Sequence, residues 1–208
     1  MPLYKTITPQ SHTKVLIWKI DEPFDVLNKD VSLTPHCQNR VDSMKSEMHR
    51  RGFMSIRHLL KEVSYEDRDL WYDDFGKPHL YDGNQISITH SYNFSAIIIS
   101  NQQIGIDIEK QREKITSISH KFVHSSEEHF FNNEKTRISF LTIIWCVKES
   151  LYKLYATPGL SFKDHIKINE VDFSNNKIKS TINYKGKQDS YELAFIEFEG
   201  FTCAYVIP

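Results

Sequence analysis

From residue 166 onward the chain is a train of short strand-like runs, at 166–173, 177–184, 191–198 and 201–207. Asn175-Asn176, Lys185-Gly186 and Glu199-Gly200 punctuate them, and such pairs make the tight turns of hairpins. Helical patterns come before this tail. The longest is predicted over about 134–155, closed by Pro158-Gly159, with a short helix over 115–122 and another after Ser125-Ser126-Glu127. Further upstream lie a strand at 14–20, a helix over about 41–62 with Met44, Met48 and Ile56 among its apolar positions, and the turn Asp73-Asp74-Phe75-Gly76-Lys77-Pro78. Three more strand-like runs follow, at 86–91, 95–100 and 104–109. Asn101-Gln102-Gln103 reads as a tight connection that makes the last two a hairpin. Strands and helices are thus segregated rather than alternating. That predicts an α+β fold with antiparallel sheets, not a doubly wound parallel sheet. No GxGxxG or Walker A sequence is present.

Composition narrows the classes. Across 208 residues, 39% hydrophobic and 25% charged residues give a globular chain, sufficient for one large domain or two small lobes. Lys+Arg 26 against Asp+Glu 27 leaves a net charge of −1, so no bulk nucleic-acid partner is expected. Cys37, Cys146 and Cys203 are odd in number and far apart, which excludes a disulfide framework or zinc ribbon and suits a reducing compartment. The start, Met1-Pro2-Leu3-Tyr4-Lys5, has no apolar core of a signal peptide, and runs such as 96–99 are too short to span a bilayer. A cytoplasmic protein with no membrane partner is expected.

Two segments carry candidate chemistry. In Ile104-Gly105-Ile106-Asp107-Ile108-Glu109, strand alternation puts Asp107 and Glu109 on one face. Two carboxylates at that spacing suit Mg²⁺, which binds one or two carboxylates plus substrate phosphates. An ordinary half-buried strand with a wet polar face gives the same pattern, and from the hexapeptide alone that reading is favoured. In the long helix, Trp145, Glu149 and Lys153 recur four residues apart on one face. Glu149 there is either a third ligand or general base, with Lys153 at a phosphate, or half of a surface ion pair of about 0.2–0.5 kcal/mol. Lys77, His90 and Ser91 lie near a turn, where such side chains can hold phosphate oxygens, although each taken separately is more often structural or solvent-facing. His120 and His124 lack the zincin glutamate and read as surface residues.

Taken in order, Gly76-Lys77-Pro78, His90-Ser91, Gly105 to Glu109, Phe122 or Val123 to Glu127, and Trp145 to Lys153 resemble the motifs of the surfactin-type 4'-phosphopantetheinyl transferases. The resemblance implies two similar α+β lobes related by a pseudo-twofold, each an antiparallel sheet with a long helix, divided as 1–100 and 101–208. It implies a monomer that transfers phosphopantetheine from coenzyme A to a serine of an apo acyl or peptidyl carrier protein, releasing adenosine 3',5'-bisphosphate. Asp107, Glu109 and Glu149 match the metal-site acids, with Glu149 as base toward the serine hydroxyl. Lys148 and Lys153 match phosphate-supporting lysines, Lys153 assisting the leaving group. Lys77, His90 and Ser91 match coenzyme A contacts, and Arg50 resembles the residue that meets the 3'-phosphate. Glu127 matches a further acid of no assigned role, and the segment between Glu109 and Glu127 matches the carrier-facing one, with Lys114, Ile115, Ile118, Lys121 and Phe122 in it. Two other classes remain. A metal-dependent phosphohydrolase or nuclease would use the same acids, although Lys110 directly follows Glu109 and is predicted to point away from them. A non-catalytic α+β binding module would leave the acids merely solvated.

Overall fold

In the computed structural model, residues 3–130 and 134–208 are described. Residues 1–2, at the head of the segment read as leaderless, and 131–133 fall outside. The chain divides into two compact units, Met1–Gln102 and Gln103–Pro208, and it is a mixed α+β protein with antiparallel sheets.

The first unit runs β1 (Leu3–Gln10), β2 (Thr13–Lys19), α1 (Phe24–Asn28), α2 (Pro35–Ser43), α3 (Glu47–Lys61), β3 (Leu70–Tyr72), β4 (Pro78–Leu80), β5 (Gln85–Ser91) and β6 (Phe94–Ser100). Its main sheet has the order β1-β2-β6-β5, and β3 and β4 form a separate ladder. Helix α3 buries Phe53, Met54, Ile56, Leu59 and Leu60 in one cluster with Leu16, Trp18, Ile86 and Ile97 of the sheet. The continuous helix expected over 41–62 is two helices. Residues 44–46 leave the helical path, and the Ser46 side chain accepts from the His49 N–H to start α3 afresh. A buried ion pair braces the two. Arg57 Nε donates to Asp67 Oδ1 at 2.8 Å, and Asp67 Oδ2 accepts from both the N–H and the hydroxyl of Thr34, the cap of α2.

The hairpin expected from 95–100 and 104–109 is absent. Strand β6 is interior, paired with β2 on one side and β5 on the other, so it has no edge left for a third partner. The tight hairpin is β5–β6, turned at Tyr92-Asn93 with Tyr92 at φ 53°.

The second unit runs β7 (Ile106–Lys110), α4 (Lys114–Ile118), α5 (Glu134–Tyr155), β8 (Ile166–Asp172), β9 (Lys177–Tyr184), β10 (Lys187–Phe198) and β11 (Phe201–Ile207). Strands β8 to β11 form the antiparallel meander legible in the tail, and β7 adds at its edge beside β11, giving β7-β11-β10-β9-β8. Helix α5 lies on this sheet. Leu141, Ile144, Val147 and Leu151 share a core with Ile178, Ile182, Leu193, Phe195, Ala204 and Val206. The helix expected over 115–122 stops at Ile118 and tightens into a 3-10 turn, Ser119–Lys121, while the segment Ser125–Phe130 is 3-10 throughout. No helix among the described residues is long and apolar enough to cross a membrane.

Candidate active site

The site is built where β7 meets α5, and a glycine permits the meeting. A Cβ on Gly105 would lie 1.9 Å from the Ser150 carbonyl oxygen and 3.2 Å from the Leu154 nitrogen, so the strand enters in backbone contact with the helix. Ser150 holds the same junction from the other side. Its hydroxyl, bonded to Cys146 O at 2.7 Å, also donates to Ala204 O of β11 at 2.9 Å. With residue 105 against residue 150, the alternation of β7 brings Asp107 and Glu109 toward the helix face that carries Glu149 and Lys153.

The electrostatics record this crowding. Burial first, and then the negative charges of Asp107 and Glu109, push the Glu149 carboxyl up to about 7, with Lys153 opposing them. The Cys146 thiol, one turn earlier, is pushed up by burial and by the same two carboxylates. Asp107 is 5% exposed. Its Oδ1 accepts from Lys153 Nζ at 2.7 Å, and Nζ also donates to Ile106 O at 3.0 Å. Lys153 therefore pairs across to the strand rather than back along the helix to Glu149.

The acids that the sequence singles out are thus brought together, but they do not form a finished cage. Among the described residues no three His, Cys, Asp or Glu side chains are arranged to hold an ion as they stand. The donor set nonetheless fits a hard divalent cation: the three candidates offer only carboxylate oxygens, and two of them already raise the third's proton affinity. Binding through these carboxylates, with the rest of the shell from water or substrate oxygens, requires no closed protein cage.

Lys148 is placed elsewhere. Its ammonium is fully buried, donating to Glu127 Oε2 at 2.8 Å and to Phe122 O at 2.7 Å. One residue from Glu149, it occupies another face of α5. Glu127 gains a role by the same geometry. Its Oε2 also accepts from His124 N and its Oε1 from Ile168 N, so one buried carboxylate ties the 3-10 segment to α5 and β8. Burial holds the Lys148 ammonium below the usual lysine range. Phe122 is core, in edge contact with Trp145 at 5.1 Å, and Trp145 also packs on Phe162.

In the first unit, α3 and the end of β5 bring His49, Gly52 and His90 into one neighbourhood. The His90 ring lies 3.4 Å from where a Gly52 Cβ would sit and 6.2 Å, centroid to centroid, from His49. His90 is exposed, while Ser91 beside it is buried. Arg50 lies over the Phe24 ring at 4.8 Å, and its Nε is buried without a hydrogen-bond partner among the described residues. Lys77 stands on the β3–β4 turn, where Gly76 takes φ +80° and Asp73 accepts from the Lys77 and Phe75 N–H groups. Burial holds the Lys77 ammonium below its usual range.

A cavity of about 240 Å³ opens beside the acids, lined by Glu109, Lys110, Arg112, Lys114, Ile115, Ile118, Thr142 and Trp145. Arg112 and Thr142 carry no expectation from the sequence, and Lys110 only that of pointing away from the acids. The alternation of basic residues at 110, 112 and 114 is the signal that marks the first two. A larger cavity, about 770 Å³, opens among His120, His124, His129, Arg137 and Lys163 and contains none of the predicted site residues.

Residues 103–206 match the family model of the 4'-phosphopantetheinyl transferase superfamily, and the chain belongs to that superfamily. The matched stretch carries Asp107, Glu109, Glu149 and Lys153. The chain is also similar to the 4'-phosphopantetheinyl transferase gsp of Aneurinibacillus migulanus, 26% identical over 159 residues. That match covers 74% of this chain and 65% of the relative, so somewhat less than two thirds of the relative's length is spanned. Among solved structures, the holo-[acyl-carrier-protein] synthase of Thermotoga maritima aligns at a TM-score of 0.37 and 19% identity, over 50% of this chain and 61% of that one.

Proposed function

We propose that this protein transfers 4'-phosphopantetheine from coenzyme A to a serine hydroxyl of an apo acyl or peptidyl carrier protein. The observation that carries the reading is the carboxylate cluster at the β7–α5 junction, with Glu149 held near neutrality beside Asp107 and Glu109. A serine hydroxyl is a weak nucleophile and needs a base poised close to the working pH. In the proposed reaction the serine oxygen bonds to the phosphorus next to pantetheine. The bond from that phosphorus to the bridging oxygen breaks, and adenosine 3',5'-bisphosphate leaves. Glu149 takes the hydroxyl proton. Asp107, Glu109 and Glu149 are the residues that would hold Mg²⁺, which when bound supplies neutralising charge to the diphosphate. Lys153, paired to Asp107, serves the leaving group. Arg50, Lys77, His90 and Ser91 are assigned to coenzyme A, Arg50 to its 3'-phosphate, and Lys148 is removed from that set.

The carrier is assigned to the cavity beside Glu109. Its basic rim of Lys110, Arg112 and Lys114 and its apolar floor of Ile115, Ile118 and Trp145 suit an acidic protein surface with a small apolar centre. A cytoplasmic monomer completes the reading, in keeping with three cysteines that are all buried and unbridged. The nuclease reading gains nothing from Lys110, which is exposed at the end of β7. The deciding experiment is intact-mass analysis of candidate apo-carriers incubated with the protein, coenzyme A and Mg²⁺. A phosphopantetheine adduct that disappears when the acceptor serine is replaced by alanine is expected. Unmodified carriers across acyl and peptidyl types would reject the reading.

A further inference from the structure

Lys153 is held by the carboxylate that a divalent cation would need. Its Nζ lies 2.7 Å from Asp107 Oδ1, with side-chain exposures of 28% for Lys153 and 7% for Asp107. A carboxylate so little exposed, with Glu109 and Glu149 close by, is costly to bury without a positive partner. Lysine suits a partner that must later let go. It is a point charge on a flexible four-carbon stem, whereas arginine would lock on as a planar fork. One helical turn separates Lys153 from Glu149, so the stem springs from the helix face that carries Glu149. The second bond, to Ile106 O, anchors it to the strand that carries Asp107.

We propose that Lys153 is a resident counter-ion of the acid cluster, one that yields Asp107 when a divalent cation binds and is thereby released toward solvent. Only the use of the released ammonium at a diphosphate rests on the transferase reading. The exchange itself involves the protein and the metal alone. Before exchange the lysine positions Asp107 and balances its charge, and after exchange the N–H donor that faced Asp107 is open to an anion.

The test uses the full chain without coenzyme A. Mn²⁺ affinity is read by electron paramagnetic resonance for the parent, Lys153→Met and Lys153→Arg. With its competitor gone, Lys153→Met is expected to bind about tenfold tighter or more, and Lys153→Arg no tighter than the parent. Removing a charge would raise affinity by field alone, so displacement is read separately. In the parent, mass-spectrometric acetylation of Lys153 is expected to speed up several-fold at saturating Mn²⁺ or Mg²⁺. Should Lys153→Met fail to fold, that labelling decides alone. Labelling that is unchanged or slowed by metal, a folded Lys153→Met that binds no tighter, or no Mn²⁺ binding by the parent would each overturn the exchange. A parallel carrier assay keeps the two readings apart. Metal-driven exposure without phosphopantetheine transfer counts only against the transferase reading, and transfer without exposure only against the exchange.

Discussion

At the scale of single residues, Glu149 combines a half-buried carboxyl with two acidic neighbours, and the consequence is a pH signature. Folding raises it from 4.5 to about 7, so between those values the folded state binds more protons than the unfolded one. Stability from this group is therefore present in full below the unfolded value and is lost as pH rises toward the folded one. With metal chelated, Glu149→Gln should melt like the parent at pH 4 and several degrees higher at pH 7.5. Parallel melting profiles at the two pH values would show that the group is not perturbed. The same substitution, like Asp107→Asn, should cut carrier modification by about 10²-fold or more, the range of a lost general base, while circular dichroism stays unchanged. Near-normal turnover by either purified variant would remove the replaced residue from the chemistry. The acids were legible in the sequence because a strand period and a helix period each put charges on one face. The lysines were not. Lys148 and Lys153 stand in one motif, and only the rotation of α5 sends the first into the core against Glu127 and the second onto Asp107.

At the scale of elements, two contacts fix how α5 lies on the sheet, and they differ in kind. Gly105→Ala drives a methyl into the Ser150 carbonyl, against helix backbone that cannot rotate away. It should cost at least about 3 kcal/mol, the upper end of overpacking, and should reduce turnover as β7 is levered off α5. Gly186→Ala is the control. It sits at φ +78° with nothing within 4 Å, so about 1 kcal/mol of backbone strain and unchanged turnover are expected. Urea melts and carrier assays of the pair would expose an error if Gly105→Ala proved the milder change. Lys148→Met leaves Glu127 buried without its cation and should cost about 3–5 kcal/mol. Turnover per folded molecule at low temperature should nevertheless stay within a few-fold of the parent. A stable but inactive Lys148→Met would restore the phosphate role that its burial argues against. Local patterning found α5 and the meander β8–β11 because their signals are long and self-contained. It ran 41–62 into one helix because periodicity passes through Ser46 without registering a cap. Strand β1 passed unnoticed because it is an edge strand with mostly exposed side chains and no clean alternation. The false hairpin at 101–103 arose because the true partner of β7 is β11, more than ninety positions away, and short-range turn chemistry carries no trace of it.

At the scale of the whole molecule, each unit closes its own core, α3 on one sheet and α5 on the other, so surface charge is left to serve recognition. The sum of that charge is −1, which gives no general attraction for an acidic partner. Attraction must then come from a local patch, and Lys110, Arg112 and Lys114 supply one at the rim of the cavity that ends at Glu109. Rim charges act chiefly on the rate of encounter and are screened over about 10 Å at 0.1 M salt. The apolar floor of Ile115, Ile118 and Trp145 acts at short range and is indifferent to salt. The two contributions should therefore separate on titration with sodium chloride. Reversal of all three charges to glutamate should lower kcat/KM for an acidic carrier by about tenfold or more at 20 mM salt, by much less at 500 mM, and leave coenzyme A binding unchanged. Ile118→Ala should lower it by a similar factor at both salts. Stopped-flow transfer assays across the salt series distinguish these. A charge-reversed protein whose deficit does not shrink with salt, or one that also loses coenzyme A, would place the carrier surface somewhere other than the basic rim beside Glu109.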